Sequence, residues 1–176
     1  MPVVEFENRK QRPLVLSIEP TGDRIEVPPL GRAAIRYSLP EHAEDRYHAA
    51  IGEHRIDVWC DAGDYEVDIV PPSPSDRLLW AICVELGYCG GVVDGEPVTV
   101  TDLIPSAGVL TAEEFAELVI RADGWPASSP LPDNALRRLQ TKFVECFGRT
   151  SVEADVFHRV TRRPFDRDPA QQRYTA

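Results

Sequence analysis

Lysine is nearly missing from this sequence: only Lys10 and Lys142 stand beside 17 arginines, a skew that reads as compositional bias of the coding genome rather than as chemistry. Basic residues as a whole are in deficit, 19 against 29 acidic ones, for a formal net charge of −10. A general grip on phosphate backbones needs clustered Lys and Arg, so nucleic acid is disfavoured as a partner. A basic protein partner suits that charge, as does plain solubility. No apolar run approaches the ~20 residues a membrane-spanning helix needs. The opening stretch, "MPVVEFENRK", lacks the basic-then-apolar order of a secretory leader. Four cysteines in 176 residues are too few for a disulfide scaffold, and the expectation is a protein of the reducing cytoplasm. What is present is sufficient for folding: 43% apolar residues supply one good core or two small ones.

The first seventy residues alternate with period two. "LVLSI" sets Leu14, Leu16 and Ile18 on one face, and "AAIRYS" sets Ala33, Ile35 and Tyr37 against Ala34, Arg36 and Ser38. "RIDVWC" and "YEVDIV" repeat the scheme with Ile56, Val58, Cys60 and with Tyr65, Val67, Ile69 inward. Turn signals such as "EPTGD", "PPLGR" and "DAGD" separate the runs. Such patterning predicts a small antiparallel β sandwich or open barrel over residues 1–70. "PPSPSD", residues 71–76, predicts an extended connector in which Ser75 or Asp76 caps the next helix.

Past Arg77 the period changes to that of helices. "RLLWAICVELG" carries Leu79, Ile82, Cys83 and Leu86 on one face, widened by Trp80 and Val84, which predicts burial on most sides. "LTAEEFAELVIRADG" pairs Thr111 with Glu114 in capping-box spacing, and Gly124 marks its end. "PDNALRRLQTKFVECFG" faces Leu136, Leu139, Phe143 and Phe147 inward, with Gly148 as its stop. Between the first two helices, Asp94-Gly95 predicts a two-residue hairpin turn, and Pro97 puts the return strand at an edge. The class is therefore α+β: a β module, a mainly helical module with a hairpin over 77–157, and a tail over 158–176. That tail holds five arginines against Asp166 and Asp168; it is expected to be mobile, with at most weak contact to nucleic acid.

Candidate chemistry concentrates in "YCGGVVDGEPV", residues 88–98. Cys60, Cys83 and Cys146 fall on apolar faces, where a free cysteine serves as a small hydrophobe. Cys89 has no such face and stands beside Gly90 and Gly91, which would let a ligand approach the backbone. Its place after a helix C-terminus disfavours a thiolate, so no residue is assigned as catalytic. No metal and no cofactor is expected either. Cys83 and Cys89 lack a recognised metal-ligand spacing. His42, His48 and His54, six apart in turn, do not share a strand face. "GYCGG" leads toward a strand rather than a helix and lacks a P-loop lysine. Tyr88, Cys89, Gly90, Gly91 and Asp94 remain as one candidate binding cluster. Glu66 and Asp68, with Asp57 near them, form a second candidate, an acidic docking patch.

Two stretches carry a resemblance. "FENRKQRPLVLSIEPTGDRIEVPPLGRAAIRY" resembles a short β module of uncharacterised bacterial proteins, and "GYCGGVVDGEPVTVTDLIPSAGVLTAEEFAELVIRADGW" is similar to the core of another such set. The resemblance implies a modular bacterial protein and no residue role. The expected function is that of a non-enzymatic, cytoplasmic protein-interaction protein, in its specific form an immunity-like or inhibitor protein for a basic partner. The alternative is a small enzyme or ligand-binding protein with its site near Cys89, between the two modules.

Overall fold

The alternating runs become strands with one buried side. The computed structural model describes residues 1–39, 41, 47–60, 64–93, 95–126, 128–160 and 162–166. The chain is α+β. It divides into two units, one made of Met1–Pro72 with the described residues 162–166, the other of Ser73–Val160.

In the first unit, β1 (Val3–Glu7), β4 (Arg32–Tyr37) and β7 (Tyr65–Val70) form an antiparallel sheet in the order β1-β4-β7. A second sheet has the order β3-β2-β6-β5, built from β2 (Leu14–Glu19), β3 (Asp23–Val27), β5 (Tyr47–Ile51) and β6 (Arg55–Cys60). Leu16, Ile18, Val27 and Val58 from the second sheet share one core with Ala33, Ile35 and Tyr37 from the first, which makes a sandwich. The all-antiparallel expectation needs one correction: β2 and β6 run parallel, Leu16 opposite Ile56 and Ile18 opposite Val58. The second sheet is therefore mixed.

Asn8 closes this unit from its rim. Only 1% exposed, it donates from Nδ2 toward the carbonyls of Arg12 (2.8 Å), Pro28 (3.0 Å) and Val27 (3.2 Å). Its Oδ1 accepts from the Lys10 amide at 3.1 Å. One side chain thus joins the loop after β1 to the end of β3 and the loop before β4, satisfying backbone groups there.

The second unit is helical around small β elements. Its helices are α1 (Pro74–Val84), α2 (Val100–Leu103), α3 (Ala112–Ala122) and α4 (Asp133–Phe147). A hairpin of β8 (Gly91–Val93) with β9 (Glu96–Val98) follows α1, and β10 (Val109–Thr111) pairs with β11 (Ser151–Glu153). Phe115, Val119, Leu139 and Phe143 form the centre of its core with Leu78 and Ile82. The capping box of α3 is present, Thr111 Oγ1 accepting from the Glu114 amide. At α1 the cap is Ser73 with Asp76, not Ser75 or Asp76 alone, so the helix starts within the stretch expected to be linker. The buried face of α1 is Leu78, Ala81 and Ile82, and Val84 is exposed; the helix is half covered, not enclosed. Among the described residues no helix is long and apolar enough to cross a membrane.

Candidate functional site

The cluster at residues 88–91 is built by the way α1 ends. Gly87 takes a left-handed φ of 84°, which a residue with a Cβ adopts only at a cost. The turn brings the Tyr88 amide back to the Ile82 carbonyl at 2.8 Å, and Tyr88 packs part-buried on the helical core. The same return brings Cys89 within 4.4 Å of Cys83, Cα to Cα, and the two are joined as a disulfide. This corrects the reading of Cys83 as a small buried hydrophobe and of Cys89 as the unpaired thiol. A sulfur held in that bond has no thiolate to offer.

The adjacent glycines are explained by close packing. A Cβ on Gly91 would lie 2.8 Å from the Ala122 carbonyl oxygen and 2.9 Å from the Asp123 carbonyl carbon; on Gly90 it would meet the Val98 oxygen at 2.5 Å. Backbone of this same unit fills the space the glycines leave, so their small size serves the seating of the hairpin against the end of α3. Asp94, the fifth member of the cluster, lies outside the described residues. Gly95 has a φ of 88°, and Val92 pairs with Pro97 in the two-stranded hairpin.

Among the described residues, Cys60, buried, and Cys146 are in no disulfide. Burial pushes the Cys146 thiol up, outweighing the opposing pull of Arg77 and Lys142. Among the described residues no group of three or more His, Cys, Asp and Glu side chains is placed to hold a metal ion. His48 lies against the Trp59 ring at 5.4 Å, His54 pairs with Glu53, and His42 is outside the described residues. A depression of about 680 Å³ opens beside the start of α3, lined by Glu113, Gln140, Thr141, Glu145, Thr150 and Ser151 among others. Its Glu145 is already bridged by Lys142 at 2.9 Å.

The second candidate, on the sandwich, is better assembled. Strand register places Glu5 opposite Ala34, and Ala34 opposite Asp68; Arg36 stands beside Glu66 and Arg32 beside Glu7. Since Ala33, Ile35 and Tyr37 face the core, the intervening positions form one outward row across three strands. Arg36 reaches Glu66 at 3.7 Å and Arg32 reaches Glu7 at 4.0 Å. Asp57, grouped with Glu66 and Asp68 from sequence, belongs instead to β6 of the other sheet, where Arg55 engages it.

Asp68 has a partner that sequence reading did not foresee. Its Oδ2 accepts from the Arg162 guanidinium at 2.5 Å and from the Phe165 amide at 2.7 Å. The Arg36 guanidinium sits 4.0 Å from the centre of the Phe165 ring, a cation–π distance. Pro164 is buried, and Arg163 lines a depression of about 310 Å³ with Glu5, Glu7 and Arg32. Residues 162–166, expected to be part of a mobile tail, are thus laid on the outer face of β1-β4-β7. The signal was present as alternating charge, basic in "TRRPFDR" and acidic on β1 and β7, but nothing local joins segments 94 residues apart.

The comparisons add no relative. No protein-family model matches the chain, and searches of curated proteins and of solved structures return no similar one. The two candidate clusters are carried by different units, Tyr88 to Gly91 by the second, Glu66 and Asp68 by the first. The first carries carboxylates on β1 and β7 that flank the arginines of β4, and a segment held by Asp68 and stacked under Arg36.

Proposed function

We propose that this chain is a non-enzymatic protein-interaction protein whose partner presents a basic surface, with an inhibitor or immunity-like role toward that partner as the specific form. The observation that carries this reading is the outward row of β1-β4-β7, where Glu5 and Glu7 on β1 and Glu66 and Asp68 on β7 flank Arg32 and Arg36 on β4 and Asp68 already holds a cationic segment. A net charge of −10 adds long-range attraction for a basic partner, which raises encounter rates more than final affinity. The non-enzymatic side is supported by the state of the cysteine that a catalytic reading would use, since Cys89 is bonded to Cys83.

Affinity capture from the source cell tests the reading. A partner is expected on the column at about 0.05 M salt and is lost at about 0.5 M, where surface charges are screened within a few ångströms. Recovery of no partner at low salt, or one whose retention ignores salt, overturns it.

The cytoplasmic setting goes with this reading on the small number of cysteines, and the Cys83–Cys89 bond pulls the other way, toward an oxidising compartment. Alkylation of acid-quenched cells, followed by counting blocked thiols, decides between the two. Four alkylated cysteines indicate a reducing compartment, and two an oxidising one.

A further inference from the structure

The outer face of β1-β4-β7 holds its own chain in a manner that a foreign segment can copy. One acceptor, Asp68 Oδ2, takes both a guanidinium and a backbone amide; the amide is common to any peptide, so only the cation selects. Arg36 covers the Phe165 ring, which selects an aromatic. Arg163 lines one depression with Glu5, Glu7 and Arg32, where the two carboxylates favour a second cation. Ala34, on the outward side of β4, is fully buried, as a small residue beneath a covering segment would be. Together these contacts specify a short basic segment with an aromatic three residues after the first arginine.

The cover is held by side chains and a turn, not by strand pairing. Residues 162–166 add no strand to the sheet; they form a turn in which the Asp166 amide donates to the Arg163 carbonyl at 3.1 Å. Phe165 has a φ of 63°, a left-handed conformation that a bulky residue adopts only when its surroundings impose it. The ion pair is open to water, with the Arg162 side chain 44% and that of Asp68 22% exposed. A turn with no sheet pairing, pinned by a half-wet ion pair, one amide hydrogen bond and one ring contact, is exchangeable.

We propose that this face is a recognition surface for basic–aromatic peptide segments of an Arg-Arg-Pro-Phe type, and that residues 162–166 are its built-in competitor. The partner gains the face by displacing the chain's own segment. The inference rests on the reading of a basic partner and narrows it to one surface and one peptide chemistry.

The test uses the full chain and a fluorescein-labelled synthetic peptide, Thr-Arg-Arg-Pro-Phe-Asp-Arg, with binding followed by anisotropy at low salt. Full-length protein carrying Arg162→Ala and Phe165→Ala is expected to bind the peptide about tenfold more tightly than the unaltered chain, because the tethered competitor acts at a high effective concentration. Arg162→Ala alone keeps the test open if the double variant folds poorly, and is expected to give a smaller gain in the same direction. Adding Asp68→Asn to the released chain is expected to abolish binding, as is replacing Phe by Ala in the peptide. Equal affinity for released and unaltered chains, no binding to the released chain, or binding indifferent to Asp68→Asn each overturns the proposal. A salt-sensitive partner captured equally well by the Asp68→Asn chain overturns this surface while leaving the basic-partner reading intact.

Discussion

Asn8 offers the sharpest test of what holds the sandwich together. Its Nδ2 lies within 3.2 Å of three carbonyls and its Oδ1 accepts one amide. Two N–H groups are shared among three acceptors, so the side chain is worth roughly three full hydrogen bonds. At about 1 kcal/mol net each, Asn8→Ala should cost about 2–4 kcal/mol, the upper end applying if the freed carbonyls stay dry. Asn8→Asp keeps the shape and the acceptor but removes both donors, and sets a carboxylate against carbonyl oxygens. It should destabilise at least as much as Asn8→Ala near neutral pH. Repulsion raises the folded-state pKa of that new carboxyl above its unfolded value. Its deficit is therefore smallest below the unfolded value of about pH 4, where the protonated group regains one donor, and grows as pH rises from there through the folded pKa. Trp59 is in the first unit, whereas Trp80 and Trp125 are in the second. With the latter two replaced by Phe, urea unfolding followed by Trp emission reports on this unit. A urea slope of about 1–1.5 kcal/mol per molar converts the expected loss into a midpoint lower by about 2 M. An Asn8→Ala midpoint within about 0.3 M of the parent would refute the argument, since the hydrogen bonds would then contribute nothing net.

Further outcomes are expected in the second unit. Cys89→Ser, or reduction, opens a bond between residues six apart; the chain-entropy estimate is about 2 kcal/mol, or roughly 10–15 °C in the melting temperature of that unit. The oxidised chain should also show no fast-reacting thiol with an alkylating probe near neutral pH. Gly91→Ala places a methyl group 2.8 Å from the Ala122 oxygen and should cost about 1–3 kcal/mol in thermal denaturation. At Gly95, where a Cβ meets nothing within 4 Å but φ is 88°, Ala should cost only about 1 kcal/mol; the reverse order would show that Gly91 is not a packing glycine. Hydrogen bonds from the Thr111 amide and hydroxyl hold the Glu114 carboxyl below its usual range, and Thr99 does the same for Asp102. Lowered folded-state values mean that this stabilisation is complete above the unfolded carboxylate pKa and is lost as pH falls through the folded one. Glu114→Gln keeps an acceptor for the Thr111 amide and should therefore flatten part of the stability loss between pH 5 and 3 in melting curves, a range set by ordinary carboxylate pKa values.

Local features of this chain were legible wherever their cause was local. The strands over 14–18, 33–37, 56–60 and 65–69 follow from period-two alternation, and the structure buries those faces in one core. Thr111 with Glu114, and Gly148 in a left-handed conformation at the end of α4, follow from capping chemistry. Features that join distant segments left no such mark. Parallel pairing of β2 with β6 depends on which strands become neighbours, and alternation is the same for either direction. β11 went unread because Ser151–Glu153 is too short to show a period and forms only against β10. The disulfide was hidden differently: helical periodicity put Cys83 on an apolar stripe, while Gly87 turns Cys89 back over the end of the same helix.

The same division explains why one candidate site dissolved and the other gained content. "YCGGVVDGEPV" drew notice because it crowds a cysteine, three glycines and a proline into eleven residues, yet such residues answer conformational demand as often as chemistry. The glycines and the cysteine described there answer backbone demands: Gly95 a positive φ, Gly90 and Gly91 a close approach, and Cys89 a covalent tie reached through the left-handed Gly87 just before the stretch. Glu66 and Asp68 drew little notice, since a carboxylate on an exposed strand face is ordinary. What sets Asp68 apart is a partner 94 residues away along the chain. Arginine and aspartate were each visible in the sequence, and only the fold shows that they meet.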